Sequence, residues 1–317
     1  MPQEFRNDAE KSYFLENELE SIKEKLYADY PEAGYASIVP VDSSDDEGAE
    51  EVGYTMYDRV GISQIISAGD ADSPAVDAFG QKYKKPVHDL GNHFKYTNKE
   101  VKNAKFANAP LESDKVEASA LAVEQQHDDI AMLADGTKNL RYGGMYGIVF
   151  NPNVTKMVGI NLMLATSAEV IAEFAKMKKQ IIKDTKQIHK PDTWAISLEL
   201  EARFEGMVIA GTAKSLLSHL KETYRDMAWE THYRLADVMK NPTTLVEDAV
   251  DETTNVVMCY KKKPKVLQYK MPCPWKTLPA VFTGRGSKTE TESSSAGVIV
   301  KQPLAVVIYH FDSEDES

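Results

Sequence analysis

The stretch DKVEASALAVEQQHDDIAMLADG, residues 114–136, contains the strongest helical pattern in the chain. Asp114 with Glu117 three residues later is typical of a helix N-terminus, and Gly136 is typical of a helix end. Between them lies one apolar stripe, formed by Val116, Ala120, Val123, His127, Ile130 and Ala134. The spacing predicts a helix over 114–135, and about 22 residues give a length of roughly 33 Å, enough to be the backbone of a domain.

Helices and strands are both predicted downstream of this stretch. Thr166 and Glu169 predict a second helix start, followed by an apolar stripe of Val170, Phe174, Met177 and Ile181. A strand is predicted from the alternation of Trp194, Ile196, Leu198 and Leu200, and a third helix from Leu216, Leu217, Leu220 and Tyr224. The last third returns to strands in NVVMCY, VLQYKM and VIVKQPLAVVIYH, while TGRGSKTETESSS, residues 283–295, is predicted to be a polar loop.

A long hairpin is predicted upstream. The runs VGYTMYDRVGISQII and FGQKYKKPVHDLGNHFKYT read as strands on either side of the turn-rich AGDADSP. The carboxylate-rich stretch DSSDDEGAEE, residues 42–51, precedes them and is predicted to be a solvated loop, because its spacing departs from a calcium loop. Residues 14–30 predict a short amphipathic helix that packs either on its own domain or on a neighbouring subunit.

Composition limits the classes of protein that fit. A chain of 317 residues with 42% hydrophobic and 27% charged residues is typical of one large folded soluble domain or two lobes. The net charge of −12 argues against a general phosphate-binding surface. Cys259 and Cys273 have no metal-ligand spacing around them and fit a reducing cytoplasm. No apolar run is long enough to predict an export signal or a membrane anchor.

The sequence contains no motif that predicts catalytic chemistry. TGRGSK lacks the spacing of a phosphate loop, GGMYG lacks that of a dinucleotide fingerprint, and both are better read as turns. His127 lies on the apolar stripe, and Asp128 and Asp129 project away from it because adjacent helical positions differ by about 100 degrees. All three are predicted to be structural. We therefore predict no catalytic, cofactor-binding or metal-binding residue, and no enzyme.

The order of these parts resembles the major capsid proteins of tailed bacteriophages over nearly the whole chain, from about residue 12 to 311. The most specific pieces are YDRVG at residues 57–61 and the stretch GMYGIVFNPNV at residues 144–154, and AGVIVKQPLAVVIYH is similar to the family's final strand pair. The resemblance implies the α+β Hong Kong 97 type of capsid fold, which encapsulin nanocompartments share.

This resemblance implies a domain order. An N-terminal arm would occupy residues 1–51 and an extended hairpin, the E-loop, residues 52–97. A peripheral domain (98–154) would hold a spine helix at 114–135, an axial domain would occupy 155–260, and strands returning to both domains plus an acidic tail would complete 261–317. Intersubunit contacts are expected in the arm and the hairpin, at Leu15, Leu19, Ile22, Leu26, Tyr54, Tyr57, Arg59, Phe79 and Tyr83.

The implied function is that of a shell subunit. It would form hexamers and pentamers of an icosahedral head around double-stranded DNA contacted non-specifically, after assembly in the bacterial host cytoplasm, without a membrane or a cofactor. A separate scaffolding protein and a portal are the expected partners, with a decoration protein as a further candidate. The alternatives are an encapsulin-like compartment around a cargo enzyme and, from another class, an unrecognised cytosolic enzyme with its site between two lobes.

Overall fold

A computed structural model describes residues 33–60, 77–107, 111–209, 211–236, 238–239, 253–284 and 286–312. The helices are α1 (Tyr35–Ile38), α2 (Asn98–Ala107), α3 (Leu111–Leu133), α4 (Ser167–Asp184), α5 (Leu198–Gly206) and α6 (Leu216–Thr223). The strands are β1 (Val41–Asp42), β2 (Glu51–Val60), β3 (Asp77–Pro86), β4 (His88–Leu90), β5 (His93–Thr97), β6 (Thr155–Val158), β7 (Thr193–Ile196), β8 (Ala228–Thr231), β9 (Val238–Met239), β10 (Thr253–Tyr260), β11 (Leu267–Lys270), β12 (Lys276–Thr277), β13 (Val281–Thr283), β14 (Gly286–Ser295), β15 (Gly297–Val300) and β16 (Val306–Asp312). The predicted arm helix, the hairpin tip and the acidic tail lie outside the described residues.

A central sheet separates two hydrophobic cores. Its strand order is β6-β16-β10-β7-β8, and β10 and β16 form its antiparallel middle. Because side chains alternate along a strand, Val256 and Met258 enter one core while Val257 and Cys259 enter the other. Burial on both faces explains why NVVMCY is an almost continuous apolar run, as predicted for a strand.

The first core packs against the C-terminal half of α3. Ile130, Ala131 and Met132 are all fully buried, so the helix is covered on more than one side here. The helix begins at Leu111, three residues before the predicted start, so Asp114 lies inside it and the predicted N-terminal cap is wrong. Gly136 follows the helix with a φ of 85°, and a Cβ there would lie 2.2 Å from the Tyr146 ring, so only glycine fits.

The second core contains α4, α5 and α6. The capping box at Thr166 and Glu169 and the buried stripe of α4 are both confirmed. The strand predicted to reach Leu200 is wrong beyond Ile196, because the Ser197 side chain accepts a hydrogen bond from Leu200 N and starts α5 at Leu198. A residue that caps a helix thus interrupts an alternation that by itself favours a strand.

The prediction of a polar loop at residues 283–295 is wrong. Most of this stretch forms β14, which pairs with β12 and β13 on one side and with β4 and β5 on the other. Its final serines are buried and hydrogen-bonded: the Ser293 hydroxyl donates to Cys273 O at 2.9 Å, and the Ser294 hydroxyl accepts from Cys273 N at 2.9 Å. Helix α2, which directly follows β5, was also not predicted.

The carboxylate-rich stretch is more ordered than a solvated loop. Asp42 belongs to β1, which pairs in parallel with β11 at Tyr269 and Lys270. The Lys270 ammonium lies 2.7 Å from Asp42 Oδ2 and 2.6 Å from Asp45 Oδ2. Most of the remaining positions are exposed, as predicted. Nowhere in the described residues is a helix long and apolar enough to cross a membrane.

Candidate assembly interface

The hairpin of β2 and β3 is a long two-stranded ribbon. The two strands pair antiparallel over ten positions each, from Glu51 opposite Pro86 to Val60 opposite Asp77. Among the described strands, this ribbon pairs with no third one. The second run of the predicted hairpin therefore divides at Pro86, because β4 and β5 pair with β14 and not with β2.

The base of the hairpin is anchored to the body. Val52 packs with Ala296 and Ile299 in a small third cluster, and Lys85 Nζ lies 5.1 Å from the centre of the Tyr146 ring. A Cβ at Gly53 would lie 2.3 Å from the Tyr83 carbonyl oxygen, so glycine permits the close approach of the strands. The orientation of the ribbon is thus set at its root.

A pair of tyrosines lies on the hairpin just beyond this anchor. Tyr54 and Tyr83 face each other across the strands, with ring centres 5.2 Å apart and planes 16° apart. Burial and, secondarily, the neighbouring Tyr83 raise the pKa of Tyr54, so the Tyr54 ring is neutral at physiological pH. Tyr83 is 39% exposed, which leaves a rigid apolar ring edge available for a contact with another molecule.

The other predicted contact residues are placed less completely. Tyr57, Arg59 and Phe79 occupy paired positions of β2 and β3, opposite Gly80, Ala78 and Asp58, and their side chains lie outside the described residues. The same holds for the whole of the predicted arm stripe, Leu15, Leu19, Ile22 and Leu26. The structure therefore brings together Tyr54 and Tyr83 and does not test the rest of the predicted set.

A buried polar junction connects α3 to the start of the described chain, and sequence reasoning missed its partners. Asp128 accepts hydrogen bonds from Gly34 N at 3.1 Å and Tyr35 N at 3.0 Å. It also accepts from His232 Nε2 at 2.9 Å, Tyr233 OH at 3.1 Å and Arg234 Nε at 2.6 Å. Five donors from two distant segments thus converge on one fully buried carboxylate.

Asp129 extends this junction. Arg234 Nη1 lies 2.6 Å from its Oδ1, and Arg141 donates to both of its oxygens at 2.6 and 2.9 Å. Burial by itself would raise the pKa of Asp128, but the hydrogen bonds and charges of His232 and Arg234 outweigh it and hold that pKa below its ordinary value. Two carboxylates and two guanidinium groups therefore tie α3 to residues 141 and 232–234.

His127 points to a different side of α3 and makes hydrogen bonds to other residues. Its Nε2 lies 2.7 Å from Ser293 Oγ and its Nδ1 2.7 Å from Tyr269 OH. Because Ser293 donates its proton to Cys273 O and Ser295 donates to Tyr269 OH, the imidazole is neutral with its proton on Nε2. The Ser293 hydroxyl is fully buried and its proton is already donated to Cys273 O, so this serine–histidine pair belongs to the hydrogen-bonded interior.

No metal-binding cluster of three or more His, Cys, Asp or Glu side chains occurs among the residues that the structure describes. Cys259 and Cys273 are free and buried, and burial raises the pKa of both thiols, although nearby Lys178 and Lys276 oppose that shift. A high pKa keeps a thiol protonated and poorly nucleophilic. The described geometry is therefore that of a packed scaffold with a projecting hairpin.

Comparisons with known proteins point to a shell protein. A family model described as Major capsid protein matches residues 61–310. No curated protein matches the sequence. The capsid of Myoviridae phage XM1 is 15% identical with a TM-score of 0.74, over 91% of this chain and 95% of that chain.

Two further solved structures are similar over comparable lengths. The capsid of cyanophage P-SCSP1u is 10% identical with a TM-score of 0.59, over 91% of this chain and 90% of that chain. A virus-like particle from Pyrococcus furiosus is 13% identical with a TM-score of 0.51, over 86% of this chain and 90% of that chain. At these identities the likeness shows the fold, and the predicted α+β Hong Kong 97-like class is confirmed.

Proposed function

Since this chain belongs to the Major capsid protein family and is the shell subunit of a phage-like capsid, we propose that it forms the hexamers and pentamers of an icosahedral tailed-phage head. The head encloses double-stranded DNA. Subunits join partly through the β2–β3 hairpin, with Tyr54 and Tyr83 at the contact. The role is structural, and the free energy for it comes from repeated interfaces between copies of one chain.

The observation that carries this proposal is the unpartnered ribbon. An isolated two-stranded hairpin is marginal in water, and stable sheets need a third strand or a packing surface. Beyond Val52 and Tyr54, the described part of the hairpin has no core of its own, and Thr55, Lys82, Tyr83 and Lys84 are exposed. A neighbouring subunit would supply the missing surface in a closed shell.

Electron microscopy of the purified protein, together with size-exclusion chromatography, tests the proposal. We expect closed icosahedral particles or capsomers that elute far ahead of a 35.4 kDa monomer. A monodisperse, fully ordered monomer at high concentration would contradict the proposal and favour the alternative of a cytosolic enzyme.

A second candidate function is an encapsulin-like compartment that encloses a cargo enzyme. The similarity to the virus-like particle from Pyrococcus furiosus supports it, whereas the similarity to phage capsids supports a phage head. The contents of purified particles separate the two, because a phage head contains nuclease-sensitive DNA after the shell is opened and a compartment contains a protein. Neighbouring genes for a portal and a terminase, as opposed to a peroxidase or ferritin, give an independent test.

The finer organisation is part of the same proposal. Residues 1–51 would be the arm, 52–97 the E-loop, 98–154 the peripheral domain, 155–260 the axial domain, and 261–317 the returning strands and tail. A separate scaffolding protein, a portal and a decoration protein are the proposed partners, with assembly in the host cytoplasm. Cryo-electron microscopy of the particle would place each segment against the symmetry axes.

A further inference from the structure

A basic surface forms where the end of α4 meets the loop between β10 and β11. We call it the lysine surface and define it by the segments 183–192 and 260–265. These segments contain seven lysines and two aspartates, although the whole chain has a net charge of −12. They are far apart in the sequence, so the fold creates this concentration of positive charge.

Direct contacts hold the two segments side by side. Asp192 N donates to Tyr260 O at 3.0 Å, and Lys262 N donates to Asp192 Oδ1 at 2.7 Å. Burial, together with the charge of Lys261, lowers the pKa of His189, as expected if that ammonium group lies beside the ring. The two groups of lysines therefore belong to one continuous surface.

The nearby carboxylates are already occupied. Asp192 accepts from Lys262 N, Asp184 accepts from the Gln180 side chain, and Glu230 Oε1 lies 3.1 Å from Lys262 Nζ. Within the described part of the chain, no carboxylate pairs with the five exposed lysines of this surface, which are Lys183, Lys186, Lys190, Lys263 and Lys265. Clustered like charges repel one another, and an anionic partner would relieve that repulsion.

The backbone at the edge of this surface adopts a conformation that is uncommon for residues other than glycine. Lys186 and Gln187 have φ values of 49° and 68°, in the left-handed region that favours glycine. Their N–H groups complete the end of α4 by donating to Lys183 O and Ile182 O. A glycine would fit this helix end with less strain, yet the position holds a charged side chain that is exposed.

The described chain starts beside the lysine surface. Lys262 Nζ donates to Ser37 O, and Tyr260 OH donates to Ile38 O at 2.8 Å. Gly34 is held by Asp128 at 3.1 Å, and a Cβ on it would lie 2.7 Å from the His232 ring. The preceding segment, residues 1–32, contains nine carboxylates and four basic residues, so an acidic segment is tethered next to a basic surface.

We propose that the acidic segment 1–32 docks on the lysine surface of its own chain through its carboxylates. Tethering at Gly34 gives the segment a high effective concentration at this surface. Its length is sufficient, since about 32 residues span roughly 48 Å even as a helix. This docking goes beyond the proposed function, because it is a contact within one subunit and does not require assembly into a shell.

Carbodiimide coupling of the full-length, unassembled protein tests this proposal. The reagent joins carboxylates and amines in direct contact, and peptide mass spectrometry identifies the pairs. We expect cross-links from Asp and Glu of 1–32 to the lysine surface at low salt and several-fold fewer in 0.5 M NaCl, where the Debye length is about 4 Å. Links spread equally over all exposed lysines would overturn the docking site.

A matched pair of variants gives a second readout. The test variant carries K186Q, K190Q, K263Q and K265Q, and the control carries K95Q, K99Q, K102Q and K138Q, which are exposed positions elsewhere. With a glutamate-specific protease, we expect cleavage within 1–32 at least fivefold faster in the test variant and unchanged in the control. Equal rates in both variants would refute the proposal. If the fourfold test variant loses its circular dichroism, K263Q with K265Q alone replaces it.

Other occupants give different results. Coupling in a mixture of ¹⁵N-labelled and unlabelled protein yields label-matched links if the segment binds its own chain, while mixed links would show a second copy's segment and overturn the assignment. If the surface lysines are shielded from acetylation in DNA-filled particles and become reactive after nuclease treatment, nucleic acid is the occupant and the proposal fails. These outcomes are independent of whether the protein forms a phage head.

Discussion

At the residue scale, His127 is the side chain whose protonation should be measurable in solution. Burial lowers its pKa from 6.5 to about 4. Above pH 6.5 the ring is neutral in both folded and unfolded states, and below that value the unfolded chain takes up a proton first. The free energy of unfolding should therefore fall as the pH drops from 6.5 towards 4, by roughly 2 to 3 kcal/mol at pH 4.5 from this group.

Urea unfolding of wild type and His127→Gln at pH 7.5 and 4.5 measures this effect. At pH 7.5 the variant should lose about 1 to 2 kcal/mol, because glutamine cannot make both hydrogen bonds of the ring. The variant should also show a smaller drop between the two pH values. His310, whose pKa burial and Lys156 lower to about 4, contributes equally to both proteins. Identical pH dependence in the two proteins would mean that the pKa of His127 is not lowered. An enzymatic activity that His127→Gln abolishes while assembly stays intact would favour the enzyme alternative.

Asp128 should be the most sensitive carboxylate of the described chain. Asp128→Asn removes the charge that faces His232 and Arg234 and places an amide N–H₂ against donor groups. Breaking a buried charged network of this kind costs about 3 to 5 kcal/mol, measured by equilibrium unfolding. The control is Glu222→Gln, at the exposed pair with Lys214, which should leave the free energy of unfolding nearly unchanged. A similar decrease in the free energy of unfolding in both variants would show that the five donors around Asp128 stabilise the protein no more than an exposed ion pair does.

At the scale of an element, the hairpin should matter for assembly and not for folding. Its base is held by Val52 in a small cluster of its own, so deletion of residues 64–80 should leave a folded protein that no longer forms stable shells. Circular dichroism checks the fold and electron microscopy checks the particles.

A same-length Gly/Ser replacement of residues 64–80 is a second test variant, which keeps the connection, removes only the side chains and should also lose stable shells. If either variant still gives shells that resist heat and denaturant as wild type does, the hairpin makes no essential contact between subunits.

The arm gives the second prediction at this scale. Leu19→Ser with Ile22→Ser removes two apolar side chains from the predicted stripe, at roughly 1.5 to 3 kcal/mol each if they are buried. Because a short helix is marginal alone, we expect fewer or misshapen particles while the body of the protein stays folded. Proteolysis of intact wild-type particles completes the test, since rapid cleavage before Pro31 would place the arm outside the shell.

At the scale of the whole molecule, the shared central sheet should make the two cores unfold together. Met258→Ala opens a cavity in the first core and should cost about 2 to 5 kcal/mol, whereas Val257→Ala affects the second core. In both variants of the unassembled protein, the fluorescence of Trp194 and Trp229, which line the second core, should change at the same urea concentration as the circular dichroism. Separate transitions would show that each core is a cooperative unit of its own.

Whole elements whose pattern is complete within one segment were predictable from the sequence. The α4 stripe and its capping box, the β10 and β16 runs and the pairing of two tyrosine-bearing strands in a hairpin all followed from local spacing. In each case the signal is the apolar face of one helix or strand. The spacing of its residues in the sequence predicts that face without knowledge of the residues that cover it. The candidate contact residues Tyr54 and Tyr83 came instead from the resemblance to capsid proteins, and their stacking depends on the register of the two strands.

Only the tertiary structure decided where polar residues could be buried. Ser293, Ser294 and Ser295 read as loop, yet they lie in the middle strand of a sheet because Cys273, Tyr269 and His127 satisfy their hydroxyl groups. Asp128 is buried because five donors from residues 34–35 and 232–234 reach it. A buried polar group is stable only when its partners are present. Those partners are remote in the sequence, so a local pattern carries no information about them.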